Sequence, residues 1–258
     1  MLFCEYELWP QDELDIFTLN GVPEVICQAA VADGTKYLNY SWPALTAEMF
    51  TDQASHLYKK EAKKRRIALS SLSLSEHLEK KGRFMTDIIN GIWAICEETT
   101  WSMPDNTGVL KDIENPRYDT HSSRTASLLA TVLNLFSKDL PDAVKKRITY
   151  EVKKRCLIPF LEARNYTPEN VSYTLISCIF TEENEDKRRM ICNRVIELLE
   201  TFLKDYSSDS NKAKSEQSLY IWSAYLYDIL EMLYCATDNK LAVFSEEKIM
   251  LAAKSIYK

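Results

Sequence analysis

The sequence predicts an all-α protein, and three observations support this fold class. Apolar residues recur at helical spacing along most of the chain, no segment alternates apolar and polar residues as a strand does, and glycine is rare, with only 5 residues. Hydrophobic residues make up 46% of the chain and charged residues 27%, which is typical of a folded protein. At 258 residues we expect a single domain, spanning 1–258, with one core.

Start and stop signals divide the chain into about ten predicted helices. A turn at Gly21 precedes the first helix, Pro141 suits the first position of the sixth, and Thr167 is a predicted N-cap for the seventh. A polar connection over 103–120 is the longest irregular segment. The predicted helices span 24–32, 40–50, 52–81, 83–96, 122–137, 141–159, 167–180, 185–206, 216–236 and 245–257.

The predicted helix at 83–96 is the most apolar and leads into a Trp-x-x-Pro turn. Its apolar residues come in pairs every four positions, from Phe84 to Cys96, and cover an unusually wide face. We therefore expect an inner helix that is covered on more than one side. The turn at Trp101 and Pro104 is either the rim of a substrate cleft or a structural corner, and the sequence leaves both open.

Successive helical hairpins with wide apolar faces are typical of a solenoid or of a ring of paired helices. No repeat of fixed period is visible, which disfavours the regular helical repeats. We predict an incomplete α/α toroid of about five helical hairpins. The basic run in the third predicted helix, residues 59–66, is interpreted as a solvated face.

Composition excludes several classes of function. The net charge of −6 argues against nucleic acid as a partner, and no glycine-rich phosphate loop is present. The 7 cysteines form no C-x-x-C pair and the 3 histidines are scattered, so we predict no metal site and no cofactor. No apolar run is long enough for a bilayer, and no signal peptide is visible. We expect a cytoplasmic protein, or a periplasmic one if a leader has been removed.

Several motifs together resemble the helical domain of heparinase II/III-like proteins. They are Tyr40 to Leu45, Lys64-Arg65-Arg66, Leu69 to Glu79 with Lys81-Gly82-Arg83-Phe84, Ile92 to Trp101 with Pro104, and Arg155-Cys-Leu-Ile-Pro159-Phe160. The segment ICEETTW is the most specific of them. The resemblance implies a polysaccharide lyase in which a toroid and β-sheet domains hold an acidic glycan between them.

Such a lyase removes a proton next to a uronate carboxylate and eliminates the leaving oxygen. The resemblance implies Asn170 as the group that neutralises the carboxylate and Tyr220 as the catalytic acid and base. Trp101, Asn106 and Glu216 lie at motif positions and are candidate substrate-binding residues. Tyr227 is a further candidate because it lies on the aromatic face of the helix at 216–236.

The sequence departs from the family pattern at four points. Pro104-Asp105-Asn106 stands where the family has a histidine, and Val171 follows Asn170 where the family has a tryptophan. The element with Glu216 and Tyr220 lacks the family's glycine, and the C-terminal β-domains are missing. We therefore expect an acidic polysaccharide or oligosaccharide as ligand with an incomplete or lost active site. The missing β-domain would come from a partner, or the chain would form a homo-oligomer. The alternative function is a non-catalytic helical scaffold or protein-interaction domain.

Each candidate also has a structural interpretation. Asn170 falls in the first turn of a helix, where its side chain suits a capping hydrogen bond. Tyr220, Tyr227 and Tyr234 share one face of their helix, opposite a core side that includes Leu226, and that tyrosine face meets either a cleft or solvent.

Overall fold

The computed structural model describes residues 21–51, 55–104, 114–207 and 216–237, and every regular element within these ranges is helical. This confirms the predicted all-α class. The helices are α1 (Glu24–Thr35), α2 (Ser55–Glu79), α3 (Met85–Cys96), α4 (Thr120–Leu135), α5 (Asp142–Val152), α6 (Ile158–Glu162), α7 (Pro168–Thr181), α8 (Glu185–Ser207) and α9 (Glu216–Ala236), with a 3₁₀ turn at Ala47–Phe50 and a π-helical turn at Lys153–Leu157. The helix predicted at 245–257 lies outside the described residues.

Helices α1 and α2 pack against each other through Gly34. The sequence predicts that α1 ends near Ala32, but the helix continues to Thr35. A Cβ atom on Gly34 would lie 2.7 Å from the carbonyl oxygen of Ser71 on α2. Glycine therefore serves close packing between two helices here rather than helix termination.

The connection between α2 and α3 is held by a buried carboxylate. Glu76 accepts hydrogen bonds from the backbone N–H groups of Gly82, at 2.6 Å, and Phe84, at 3.0 Å. Gly82 adopts φ +76°, a left-handed conformation that glycine tolerates without steric cost. Glu76 thus fixes the tight turn that makes α2 and α3 a helical hairpin.

Most of the apolar stripe that the sequence predicts on helix α3 is buried. Ile88, Ile92 and Ile95 are fully buried, and the ring of Trp42 packs directly over Gly91. Trp93 departs from the prediction, since it is more than one-third exposed although it belongs to the apolar stripe. Its indole N–H reaches the Glu97 carboxylate at 2.7 Å.

The remaining helices extend the core as a layer of neighbours. Helix α4 packs along α7, and α7 packs along α9, while α5 and α8 lie against members of this layer. On α9, Leu226, Ile229 and Leu233 are buried, which confirms the side of that helix assigned to the core. None of the helices in the described part of the chain has the length and apolar character needed to cross a bilayer.

The helix predicted at 141–159 runs from Asp142 to Glu162 but contains a π-helical turn. Pro159 accounts for the widened turn, because its ring has no N–H and would clash with the carbonyl group four residues earlier in a regular α-helix. The turn places Lys154 and Arg155 at the surface of the cleft described below.

The interpretation of the basic run on α2 is wrong for its two arginines. Lys59, Lys60 and Lys63 are exposed as expected, whereas Arg65 is buried and Arg66 half-buried. Their partner is Glu98, which lies more than thirty residues later in the chain. A run of like charges gives no sign of such a distant partner, so a solvated face is the natural expectation from sequence.

Candidate functional site

The residues from Glu98 to Pro104 form a buried corner after α3, named here the Trp101 turn. Trp101 is only 1% exposed, and its indole N–H donates to the carbonyl oxygen of Ile95 at 2.9 Å. The backbone N–H of Met103 donates to the Asp119 carboxylate at 3.2 Å. The turn is therefore fixed both to the end of α3 and to the start of α4.

Two carbonyl groups at the end of α3 accept hydrogen bonds from side chains of other helices. Arg65 donates to the oxygen of Ala94 at 2.6 Å, and Arg147 donates to that of Cys96 at 3.1 Å. Positive charge also complements the negative end of the helix dipole. Side chains from α2 and α5 thus converge on this helix end.

Two carboxylates lie within the same group of arginines. Glu98 has a fully buried side chain and accepts from Arg65 at 3.2 Å and from Arg66 at 2.6 Å. Arg66 binds it through both terminal nitrogens, a bidentate arrangement that also fixes orientation.

The second carboxylate is Glu151 on α5. It accepts from Arg147 at 2.9 Å and from Arg155 at 2.6 Å, each four residues away on the same helical stretch. Arg155 also donates to the carbonyl oxygen of Glu98 at 2.6 Å, and its guanidinium lies 5.0 Å from the centre of the Trp101 ring. We call Arg65, Arg66, Glu98, Arg147, Glu151 and Arg155 together the arginine network.

A cleft of about 250 Å³ opens beside the Trp101 turn. Its wall combines the turn with the start of α4 and the π-helical turn, and its side chains are mainly basic or hydroxylic. The lining residues are Glu98, Thr99, Thr100, Trp101, Ser102, Pro116, Arg117, Ser122, Lys154 and Arg155. The volume suits one charged group together with about one sugar ring.

Trp101 borders this cleft but its ring is buried against protein groups. Of the two alternatives for this turn, the buried ring of Trp101 matches the structural corner. The turn also forms part of the cleft wall. The substrate-binding candidate Asn106 lies outside the described residues.

Asn170 caps α7 together with Thr167. The Asn170 side-chain oxygen accepts from the Thr167 backbone N–H at 3.0 Å, and the Thr167 hydroxyl accepts from the Asn170 N–H at 3.2 Å. Asn170 is buried, and within the described residues it does not line the cleft. This capping hydrogen bond is the structural interpretation of Asn170 given in the sequence analysis. It uses the side-chain oxygen, so the amide NH₂ group is the part of Asn170 that remains for a carboxylate.

The remaining candidates lie on α9. Tyr227 is exposed, and the charge of Glu231 raises the pKa of its hydroxyl. Tyr220 and Glu216 belong to the first turns of α9, where the structure describes the helix but not the side chains. The structure therefore does not bring Tyr227 and the cleft together, and the position of the Tyr220 hydroxyl is left open.

A second polar cluster, which the sequence does not reveal, joins α4, α7 and α9. The Tyr225 hydroxyl lies 3.1 Å from a Glu169 oxygen and 3.3 Å from the Tyr173 hydroxyl, and Arg124 forms an ion pair with Glu169. Partial burial lowers the pKa of the nearby His121 imidazole. These groups come from three helices, and only the i,i+4 pair Glu169 and Tyr173 has a local spacing signal.

The described part of the chain contains no cluster suited to a metal ion, and two of its buried thiols have a raised pKa. No group of three or more His, Cys, Asp or Glu side chains there is placed to hold a metal ion. Burial raises the pKa of the Cys96 and Cys156 thiols to about 12, so both are protonated at neutral pH.

No known family model matches this chain, and no curated protein sequence matches it. Function is therefore inferred from the chemistry of the cleft and its surroundings.

Proposed function

We propose that the chain is a glycan-binding helical domain of the heparinase II/III-like kind, arranged as an incomplete α/α toroid of about five helical hairpins. Two features support this architecture. Helices α4, α7 and α9 pack side by side, with α5 and α8 between them in the chain. The motif residues that carry the resemblance, including Arg65, Arg66, Glu98, Trp101 and Arg155, also meet around one helix end.

The ligand proposed for this domain is an acidic, uronate-containing oligosaccharide. The cleft beside the Trp101 turn carries the proposal, because its wall presents Arg117, Lys154 and Arg155 together with several hydroxyl groups. Guanidinium and ammonium groups bind carboxylates, and hydroxyls suit the ring oxygens and hydroxyls of a sugar.

Elimination requires a catalytic base as well as a binding site, and the cleft lacks a complete set of catalytic groups among its described residues. A base must reach the proton next to the uronate carboxylate, within about 3 Å of a Tyr or His side chain. Among the described side chains that line the cleft, none is tyrosine or histidine. Asn170 and Tyr220 remain the candidates for the chemistry, and we propose that the domain binds glycans with a partial or lost lyase activity.

A panel of uronate-containing polysaccharides tests both parts of the proposal. Calorimetric titration with oligosaccharides from the panel should show binding that weakens as salt is added. Elimination would produce unsaturated uronates, which absorb in the ultraviolet, so Tyr220→Phe should abolish any absorbance that the wild type generates. Absence of binding across the panel would refute the glycan proposal, and absorbance unaffected by Tyr220→Phe would refute the role of that residue.

A non-catalytic interaction domain is the second candidate, and the surface of α1 favours it. Val22, Val25 and Ile26 lie on one side of this helix or its start and are exposed by 41%, 68% and 56%. Contiguous exposed apolar residues often mark an interaction site. Size-exclusion chromatography with light scattering tests this candidate: an assembly that Val25→Glu disperses supports it, and a monomer at all concentrations contradicts self-association.

A further inference from the structure

The arginine network contains more positive than negative charge. Four guanidinium groups surround two carboxylates, and the network side chains are mostly buried: Glu98 and Glu151 are exposed by 0% and 5%, and Arg65 and Arg155 by 8% and 12%. Every carboxylate oxygen of Glu98 and Glu151 already accepts from an arginine. Each arginine shares a carboxylate with another arginine, so the network carries two more positive than negative charges.

The end of α3 offsets part of this excess. Arg65, Arg147 and Arg155 donate to its terminal carbonyl groups, which carry roughly half a negative charge in total. The offset is smaller than the excess, so the corner of the molecule beside the cleft keeps a positive potential. Water screens that potential weakly where the charges are buried.

Lys154 adds a further positive charge on the cleft wall. Its neighbour Lys153 lies 3.6 Å from the Glu182 carboxylate, but Lys154 forms no ion pair with a carboxylate in the described part of the chain. The side chain of Lys154 is half-buried and lines the cleft beside Arg155.

The carboxylates that the structure describes beside this wall do not cancel its positive charge, because Glu98 is already counted within the network and Asp119 adds a single negative charge. The Glu98 carboxylate is fully buried between Arg65 and Arg66. The Asp119 carboxylate, at the adjacent start of α4, accepts from the backbone N–H groups of Ser122 and Met103. The hydroxyl of Thr99 adds a neutral donor to the wall, whereas the Ser122 hydroxyl already donates to the carbonyl oxygen of Asp119.

We infer that the cleft beside the Trp101 turn binds a sugar unit bearing a phosphate monoester, with Lys154 and Arg155 as its main ligands. A phosphate monoester carries nearly two negative charges at neutral pH, whereas a uronate carboxylate carries one. The network and Lys154, less the charge of Asp119, leave an excess of about two positive charges beside the cleft, which matches the doubly charged group better. The volume of about 250 Å³ admits that group and one ring. The inference rests on the proposed function in taking this cleft as a glycan site.

Three sugars that share one ring but differ in charge provide the test: glucose 6-phosphate, glucuronate and glucose. Isothermal titration should give an affinity for glucose 6-phosphate about tenfold or more above that for glucuronate, and no measurable binding of glucose. Inorganic phosphate serves as a fourth probe, and binding equal to that of glucose 6-phosphate would show that the cleft takes the anion without the sugar and overturn the sugar part of the inference.

Lys154→Met should weaken glucose 6-phosphate binding about tenfold or more, because it removes one charge-assisted contact. Lys146→Met is the matched control, since Lys146 is exposed on the same helical stretch and does not line the cleft. The control should bind as the wild type does. Equal affinities of the two variants would overturn the inference, and thermal melts that coincide with the wild type exclude misfolding as the cause of a loss.

The experiments distinguish failure of the proposed uronate ligand from failure of the inferred sugar-phosphate site. A chain that binds glucose 6-phosphate but no uronate oligosaccharide refutes the proposed uronate ligand and keeps the phosphate site. A chain that binds uronate oligosaccharides through Lys154 and shows no preference for glucose 6-phosphate over glucuronate refutes the inference and keeps the proposed function.

Discussion

Glu98→Gln should be among the most destabilising single substitutions in the chain. The Glu98 carboxylate is fully buried and is bound by Arg65 at 3.2 Å and by Arg66 at 2.6 Å. Removing its charge leaves both guanidinium groups in a weakly solvated corner without a counter-charge. Breaking a buried ion pair in this way costs about 3–5 kcal/mol. For a chain of this length the expected fall in Tm is about 6–20 °C.

Glu79→Gln is the matched control, because it makes the same chemical change in an ion pair at the surface. Glu79 binds Arg83 at 2.6 Å, but the Arg83 side chain is 38% exposed and solvent screens the pair, so the substitution should be far less destabilising than Glu98→Gln. Urea unfolding followed by circular dichroism compares both variants with the wild type. If Glu98→Gln is no more destabilising than Glu79→Gln, the arginine network is not the structural centre described above.

Three further substitutions test separate contacts. Gly91→Ala should destabilise the protein by about 1–3 kcal/mol or more, because the new Cβ would lie 2.4 Å from the Trp42 ring; a urea midpoint equal to that of the wild type would contradict this packing. Thr167→Ala should cost about 1 kcal/mol by removing the cap of α7, and an unchanged thermal melt would argue against the capping box with Asn170. The buried Cys156 thiol has a folded-state pKa of about 12, above the unfolded-state pKa of about 8.5. Above the unfolded-state pKa the thiol ionises only in the unfolded chain, so the free energy of unfolding falls as pH rises. The fall in unfolding free energy from about pH 7.5 to about pH 9.5 should therefore be smaller in Cys156→Ala than in the wild type, and an equal fall would refute the assignment.

Local patterns were sufficient to predict most of the helices. Periodic apolar residues identify helix α3, and the Thr167-Pro168 signal marks the start of α7 at its observed position. Helix ends were harder, as Gly34 illustrates: the residue has the properties of a terminator, yet its position inside α1 depends on the backbone of α2. Such a contact between helices leaves no local signal.

Contacts between distant residues, which local sequence patterns do not show, also determine the candidate site. The i,i+4 spacing of Arg147, Glu151 and Arg155 is visible in the sequence. The contact of these residues with Arg66 and Glu98 is not, because it depends on how three helices pack. Motif resemblance selected several of these residues without explaining their role. Their hydrogen bonds supply that role, because they satisfy the end of α3 and leave positive charge beside a cleft.

A crystal structure of the protein soaked with a uronate oligosaccharide tests the central proposal most directly. The proposal predicts a sugar in the cleft beside the Trp101 turn, with its acidic group within hydrogen-bonding distance of Lys154 and Arg155. Sugar bound only elsewhere, or an empty cleft at a concentration that saturates the protein in solution, would contradict it.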